Sequence, residues 1–257
     1  MSKFVPYLAE EAIERDAEAL LAELARARDV VIAPPIPIED IIEKHLKLCI
    51  EFDDIDARWG VKRLIDPEGD PQILGAIYFD GRRIVINQGL DPDEYPSMEG
   101  RYRFTLAHEG GGHWRPHRHL YARDSAQTSL FGGTSHPSVV CRSSQAKERV
   151  EWQADFYALC VLMPREMVIK AWHDRFGNKK PRILRCNEGI NAGEITDPEM
   201  RRSFERFERG HFDQAMHEFA RPFAKQFQVS PIAMRIRLEK LGLLLRGNSH
   251  QRILVDG

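Results

Sequence analysis

Residues 104–114 read Phe-Thr-Leu-Ala-His-Glu-Gly-Gly-Gly-His-Trp, and no other stretch of the chain restricts its fold so tightly. Three glycines inside a helical pattern cost about 1 kcal/mol each relative to alanine, roughly 3 kcal/mol together. A helix that only packs has no reason to carry that load. The flanking histidines, His108 and His113, stand five positions apart. Five residues of a regular α-helix turn roughly 500°, which leaves the two side chains about 140° apart. A straight helix therefore cannot aim both at one point. Three geometries are open. A π-bulge absorbs one residue and returns both histidines to one face, a distortion frequent at functional sites and eased by the permissive backbone of glycine. Alternatively the helix stays regular and His113 turns away. The third pairs His113 with His117, four apart, although Pro116 precedes His117 and no glutamate follows His113.

With one residue fewer the stretch would spell His-Glu-x-x-His, which places two imidazoles on one tetrahedral metal ion and a glutamate beside its water. The expected ligands are His108 and His113, with Glu109 the general base. Downstream, "ERVEWQADFYA" supplies Glu151 and Asp155 four apart on one helical face, beside the apolar Ala154, Phe156, Ala158 and Leu159. Glu151 suits a third ligand. Asp155 suits the acid that accepts the N–H of a liganding histidine and fixes its tautomer. Glu148, one turn earlier, competes for the third position, and Cys141 is the one cysteine placed to approach the ion. One Zn2+ per chain is expected. Manganese or another divalent ion stays open, because two histidines and a carboxylate do not select zinc uniquely.

A chain of 257 residues, 42% hydrophobic and 30% charged, has the profile of a globular protein. Its net charge of −2 gives no global attraction to nucleic acid or membrane. The four cysteines form no Cys-x-x-Cys pair, which favours reduced thiols and a cytoplasmic location. The beginning, "MSKFVPYLAEEAIERDAEALL", has acids where a signal peptide needs a basic start. No apolar run approaches the roughly 20 residues that span a bilayer.

Hydrophobic spacing predicts an amphipathic helix over 7–28 and a short one around Ile41, Ile42 and Leu46. "LCIEFDD" and "ILGAIYF" read as strands, and "RRIVIN" completes a hairpin through Asp80-Gly81. The helix from Arg101 should stop early at Pro116. Residues 117–147 read as a long loop with a short strand near "SVVCR". Further helices are expected in "KERVEWQADFYALCVLM" and from Pro164 to Trp172. Residues 177–199 look irregular, and the tail from Phe212 to Leu245 reads as helical with a break at "QFQVSP".

"RYRFTLAHEGGGHW" followed by "EWQADFYALCVLMP" resembles the ImmA/IrrE family of zinc metallo-endopeptidases, as do "GAIYFDGRRIVIN" and "VSPIAMRIRLEKLGLL". The likeness runs from about Pro35 to Leu245 and is weakest around 177–210. It implies an α+β, zincin-like core, a small twisted sheet packed on active-site helices, with a C-terminal helix-turn-helix-like segment. The implied division is an N-terminal helix and linker (1–34), the metallopeptidase domain (35–176), an irregular connector (177–210) and the helical segment (211–257). By position, His108 matches the first ligand, Glu109 the general base, Glu151 the third ligand and Asp155 the supporting acid. The family's second histidine falls at Gly112, so His113 is its substitute, displaced by one. The resemblance implies hydrolysis of peptide bonds in a cytosolic DNA-binding repressor of helix-turn-helix type. The hairpin strand nearest the cleft could hold the extended peptide by strand addition. His117, His119, His136 and Tyr121 lie near the site in sequence and read as ordinary surface or loop residues.

In the C-terminal segment, Ser230 suits an N-cap, Pro231 the first helical position and Gly242 the stop. Met234, Ile236, Leu238 and Leu241 form the expected packing side. Arg235, Arg237 and Lys240 could meet phosphates, but a helical cap with a solvated basic face is preferred over DNA contact. Trp59, Trp114, Trp152, Trp172 and Cys160 read as packing residues. A second class of function, a non-catalytic regulatory or interaction protein on the same fold with its metal site impaired by the five-residue spacing, stays open.

Overall fold

The computed structural model describes residues 6–55, 73–119, 139–142, 149–185 and 197–247. Trp59, Tyr121, His136, Glu148 and Cys186 lie outside these residues. The chain is α+β, mainly helical with a small mixed sheet. It divides into two compact units, 1–167 with 227–229 and 168–226 with 230–257.

In the first unit, α1 (Glu10–Arg28) buries Ile13, Ala17, Leu20, Leu21 and Leu24 on one face. That is the stripe its apolar spacing dictates. Each buried leucine stabilises by about 1.5–3 kcal/mol. Acids open the helix and arginines close it, in agreement with its dipole. The short helix around Ile41 and Ile42 is a π-helical turn, Asp40–His45.

Strands β1 (Cys49–Asp53), β2 (Ile73–Tyr78), β3 (Arg83–Asn87) and β4 (Val139–Arg142) form one sheet in the order β1-β3-β2-β4. β2 and β3 are the expected antiparallel hairpin, pairing Ala76 with Val85 and Ile77 with Ile84. β1 runs parallel to β3, and β4 runs antiparallel to β2. Both hairpin strands thus have a neighbour on each side. Among the described residues the sheet's edges are β1 and β4, so neither hairpin strand offers a free edge for strand addition. Ile84, Val85 and Ile86 are all buried, as a central strand requires.

Helix α2 (Glu99–Ala107) widens into a π-helical segment, His108–His113, and resumes as α-helix over 114–119. The helix does not stop at Pro116. That proline falls in the first turn of the resumed helix, the part of a helix where proline is tolerated. α3 (Arg149–Leu162) follows and is buried on nearly every side.

In the second unit, α4 (Arg165–Phe176), whose first residues belong to unit one, carries Trp172, buried within an aromatic group. Its ring stacks on Phe223 at 5.6 Å and meets Phe176 edge-on at 4.7 Å. Residues 177–199 are not irregular throughout: β5 (Arg182–Arg185) lies there and pairs in parallel with β6 (Leu244–Gly247). Nor is the tail helical to Leu245, since β6 ends it. α5 (Pro198–Phe227) and α6 (Pro231–Lys240) flank the break. Ser230 caps α6 by accepting the Ala233 N–H at 3.1 Å, and Gly242 takes the left-handed conformation, φ 68°, beyond its end. Arg237 is buried and Arg235 pairs with Glu239, leaving Lys240 the exposed member of that basic trio. No helix among the described residues is long and apolar enough to cross a membrane.

Candidate metal centre

The π-helical segment is the first of the three geometries that the five-residue spacing leaves open. Its wider turn brings His108 and His113 to one side, with their Nε2 atoms 3.0 Å apart. From α3, Glu151 reaches the same point. Its Oε2 lies 3.2 Å from His108 Nε2 and its Oε1 lies 3.6 Å from His113 Nε2. All three residues are buried. Asp155, one turn along α3, accepts a hydrogen bond from His108 Nδ1 at 2.8 Å. That leaves the lone pair of His108 Nε2 facing inward.

The three glycines explain the approach. None of them takes a positive φ, so the backbone freedom expected of them is not what they supply. They supply the absence of a Cβ. A Cβ on Gly110 would lie 1.9 Å from Ile42 Cδ1. One on Gly111 would lie 2.9 Å from the Tyr157 ring, and one on Gly112 2.6 Å from both Cα and O of Ala154. Gly111 and Gly112 therefore let the π-helix lie directly on α3, and that contact carries Glu151 to the histidines. Gly75 does the same on the sheet side, where a Cβ would stand 2.8 Å from Thr105 Cγ2 and 3.4 Å from Glu109 Cγ. Glu109 is fully buried beneath β2.

The donor set fits a divalent ion. Zinc bonds of about 2.0–2.2 Å at tetrahedral angles place neighbouring ligand atoms roughly 3.3–3.6 Å apart. The two histidine nitrogens stand 3.0 Å apart and Glu151 turns one oxygen to each, at 3.2 and 3.6 Å, so the donors lie at or somewhat inside these spacings. A buried carboxylate facing two imidazoles calls for compensating positive charge, which a metal ion or a ring proton supplies. Burial pushes the His113 imidazole down to about 4, which keeps it neutral and able to ligate.

His117 is neither a surface nor a loop residue. It is buried, with Nδ1 3.3 Å from His113 Nδ1 and Nε2 2.8 Å from Gln153 Oε1. Gln153 carried no signal of its own in the sequence, lying between Glu151 and Asp155 on α3. The His113–His117 spacing of four, read as a continued helix, would have found the histidine. His119 is exposed and outside this group. Next to the site, Trp114 stacks on Phe79 at 5.9 Å and Arg82 lies over its ring. Trp152 stacks on Phe156, and Cys160 is buried in α3. Arg115 reaches back to α1, donating to Asp16 at 2.9 Å and to Glu23 at 2.8 Å. That clamp was invisible in the linear sequence. No protein-family model and no curated protein matches the chain.

Proposed function

We propose that this chain is a metal-dependent endopeptidase that holds one zinc ion on His108, His113 and Glu151. The observation that carries the reading is the convergence of two imidazole nitrogens and a carboxylate, 3.0–3.6 Å from one another, inside a buried site. A glutamate directly follows the first histidine, the placement a general base needs. The resemblance of the two site helices to ImmA/IrrE peptidases supports the same class of reaction and supplies the substrate: a helix-turn-helix repressor.

When bound, the ion supplies Lewis acidity that polarises a peptide carbonyl and acidifies water. The chain's own residues do the rest. Asp155 holds the His108 ring by its Nδ1–H, which aims Nε2 inward. Gly111 and Gly112 hold α3 close enough for Glu151 to reach both histidines. Glu109 would take a proton from the attacking water on its carboxylate and deliver it to the leaving amine.

Metal content and repressor cleavage, measured on the same preparations, test this. Wild type and Glu109→Gln should each carry about one zinc per chain, and His108→Ala none. Glu109→Gln should lose cleavage by about 10²–10⁴-fold while keeping its metal. Folded wild type that takes up no divalent ion overturns the reading. Undiminished cleavage by Glu109→Gln removes that residue as the base.

A further inference from the structure

Beside the ligands runs a chain of hydrogen bonds whose polarity is set at one end only. That end is the main-chain carbonyl of Pro6, which can accept and never donate. Gln153 Nε2 lies 2.8 Å from it and must be the donor. The opposite amide orientation would set two oxygens against each other. Gln153 Oε1 then faces His117 Nε2 at 2.8 Å, so His117 carries its proton on Nε2 and offers a lone pair on Nδ1. That lone pair faces His113 Nδ1 at 3.3 Å, which in turn must hold a proton. The remaining nitrogen, His113 Nε2, is left bare, and it points at His108 Nε2 and Glu151.

The geometry points to His117 and Gln153 as positioning residues that lock His113 in its Nδ1–H tautomer, anchored on the N-terminal segment at Pro6. The two ligand histidines are thus oriented by unlike partners, His108 by a carboxylate and His113 by a neutral relay. His113 and His117, four apart in the sequence, lie one helical turn from each other.

The consequence for metal binding rests on the proposed function; the tautomers do not, and two measurements separate them. In isotope-labelled, metal-free full chain, long-range proton–nitrogen correlations should place the proton of His113 on Nδ1 and that of His117 on Nε2. A proton on His117 Nδ1, or on His113 Nε2, overturns the inference whether or not the protein binds zinc. The second measurement is zinc affinity by chelator competition. His117→Leu should weaken binding by about 10–100-fold. His117→Asn, whose side-chain oxygen occupies the place of Nδ1, should restore most of it, and His117→Gln should not. Equal affinity in folded His117→Leu and wild type overturns the relay and leaves the metal site standing. A wild type without zinc but with the expected tautomers does the reverse. Should His117→Leu fail to fold, the Asn and Gln variants and the wild-type tautomers still decide.

Discussion

Gly110, Gly111 and Gly112 differ in what stands over them, and so should their alanine variants. The Cβ of Gly110→Ala would meet the tip of Ile42, a side chain that can turn. That of Gly112→Ala would meet the backbone of Ala154, which cannot yield unless α3 moves. Overpacking of this kind costs about 1–3 kcal/mol. Gly112→Ala should therefore unfold at lower temperature than Gly110→Ala. It should also lose zinc affinity, because a displaced α3 takes Glu151 with it. The reverse ranking in a thermal melt would show that close approach to α3 is not what the glycine provides. At this scale the sequence was most legible. His108, His113, Glu151 and Asp155 are marked by residue type and spacing alone, and the structure brings all four together. What the glycines do was not legible, since their neighbours Ile42 and Tyr157 lie about 70 and 45 positions away in the chain.

The π-helical segment is a local device: one extra residue absorbed within His108–His113, with ordinary helix before and after. Deleting Gly112 gives a four-residue spacing that a regular α-helix also satisfies. The shortened protein should keep its fold and its zinc, while insertion of a fourth glycine should abolish metal binding. Metal stoichiometry of the two purified variants reads this directly. Loss of zinc on deletion would mean that the wider turn does more than absorb a residue. Element by element, α1, the hairpin and the Ser230 cap follow from periodicity and turn chemistry, which act over a few residues. Three features did not follow: continuation through Pro116, the β5–β6 pairing and the central place of both hairpin strands. Each depends on what lies beside the element rather than within it.

For the molecule as a whole, the tie between α1 and the site helix should show in acid stability. Arg115 hydrogen-bonds Asp16 and Glu23 across more than ninety residues of chain. Burial pushes the Asp16 carboxyl up, but the Arg115 hydrogen bonds outweigh it and hold the group below its ordinary range. Hydrogen bonds from Arg115 hold Glu23 down as well. Both folded-state values lie below the unfolded ones, so the contribution is fully present at neutral pH. It is lost as pH falls below roughly 4.5 and through the folded values. With each carboxylate more than a third exposed, solvent screening limits the clamp to about 1–2 kcal/mol. Melting of the metal-free Asp16→Asn/Glu23→Gln variant should begin lower at neutral pH and fall less steeply on acidification than wild type. Parallel curves would show that the clamp contributes nothing.

Read alone, the amino-acid order determined which side chains could hold a metal, where the first helix and the hairpin form, and that the histidine spacing excludes a straight helix. These are matters of residue type and local period, decided within a few turns of chain. Tertiary structure decided the rest: the π-helical answer to that spacing, the bare backbone faces that bring α3 against it, the Arg115 clamp and the relay from Pro6 through Gln153 and His117. Each of these joins residues distant in sequence, and which of them meet is settled only when the chain packs.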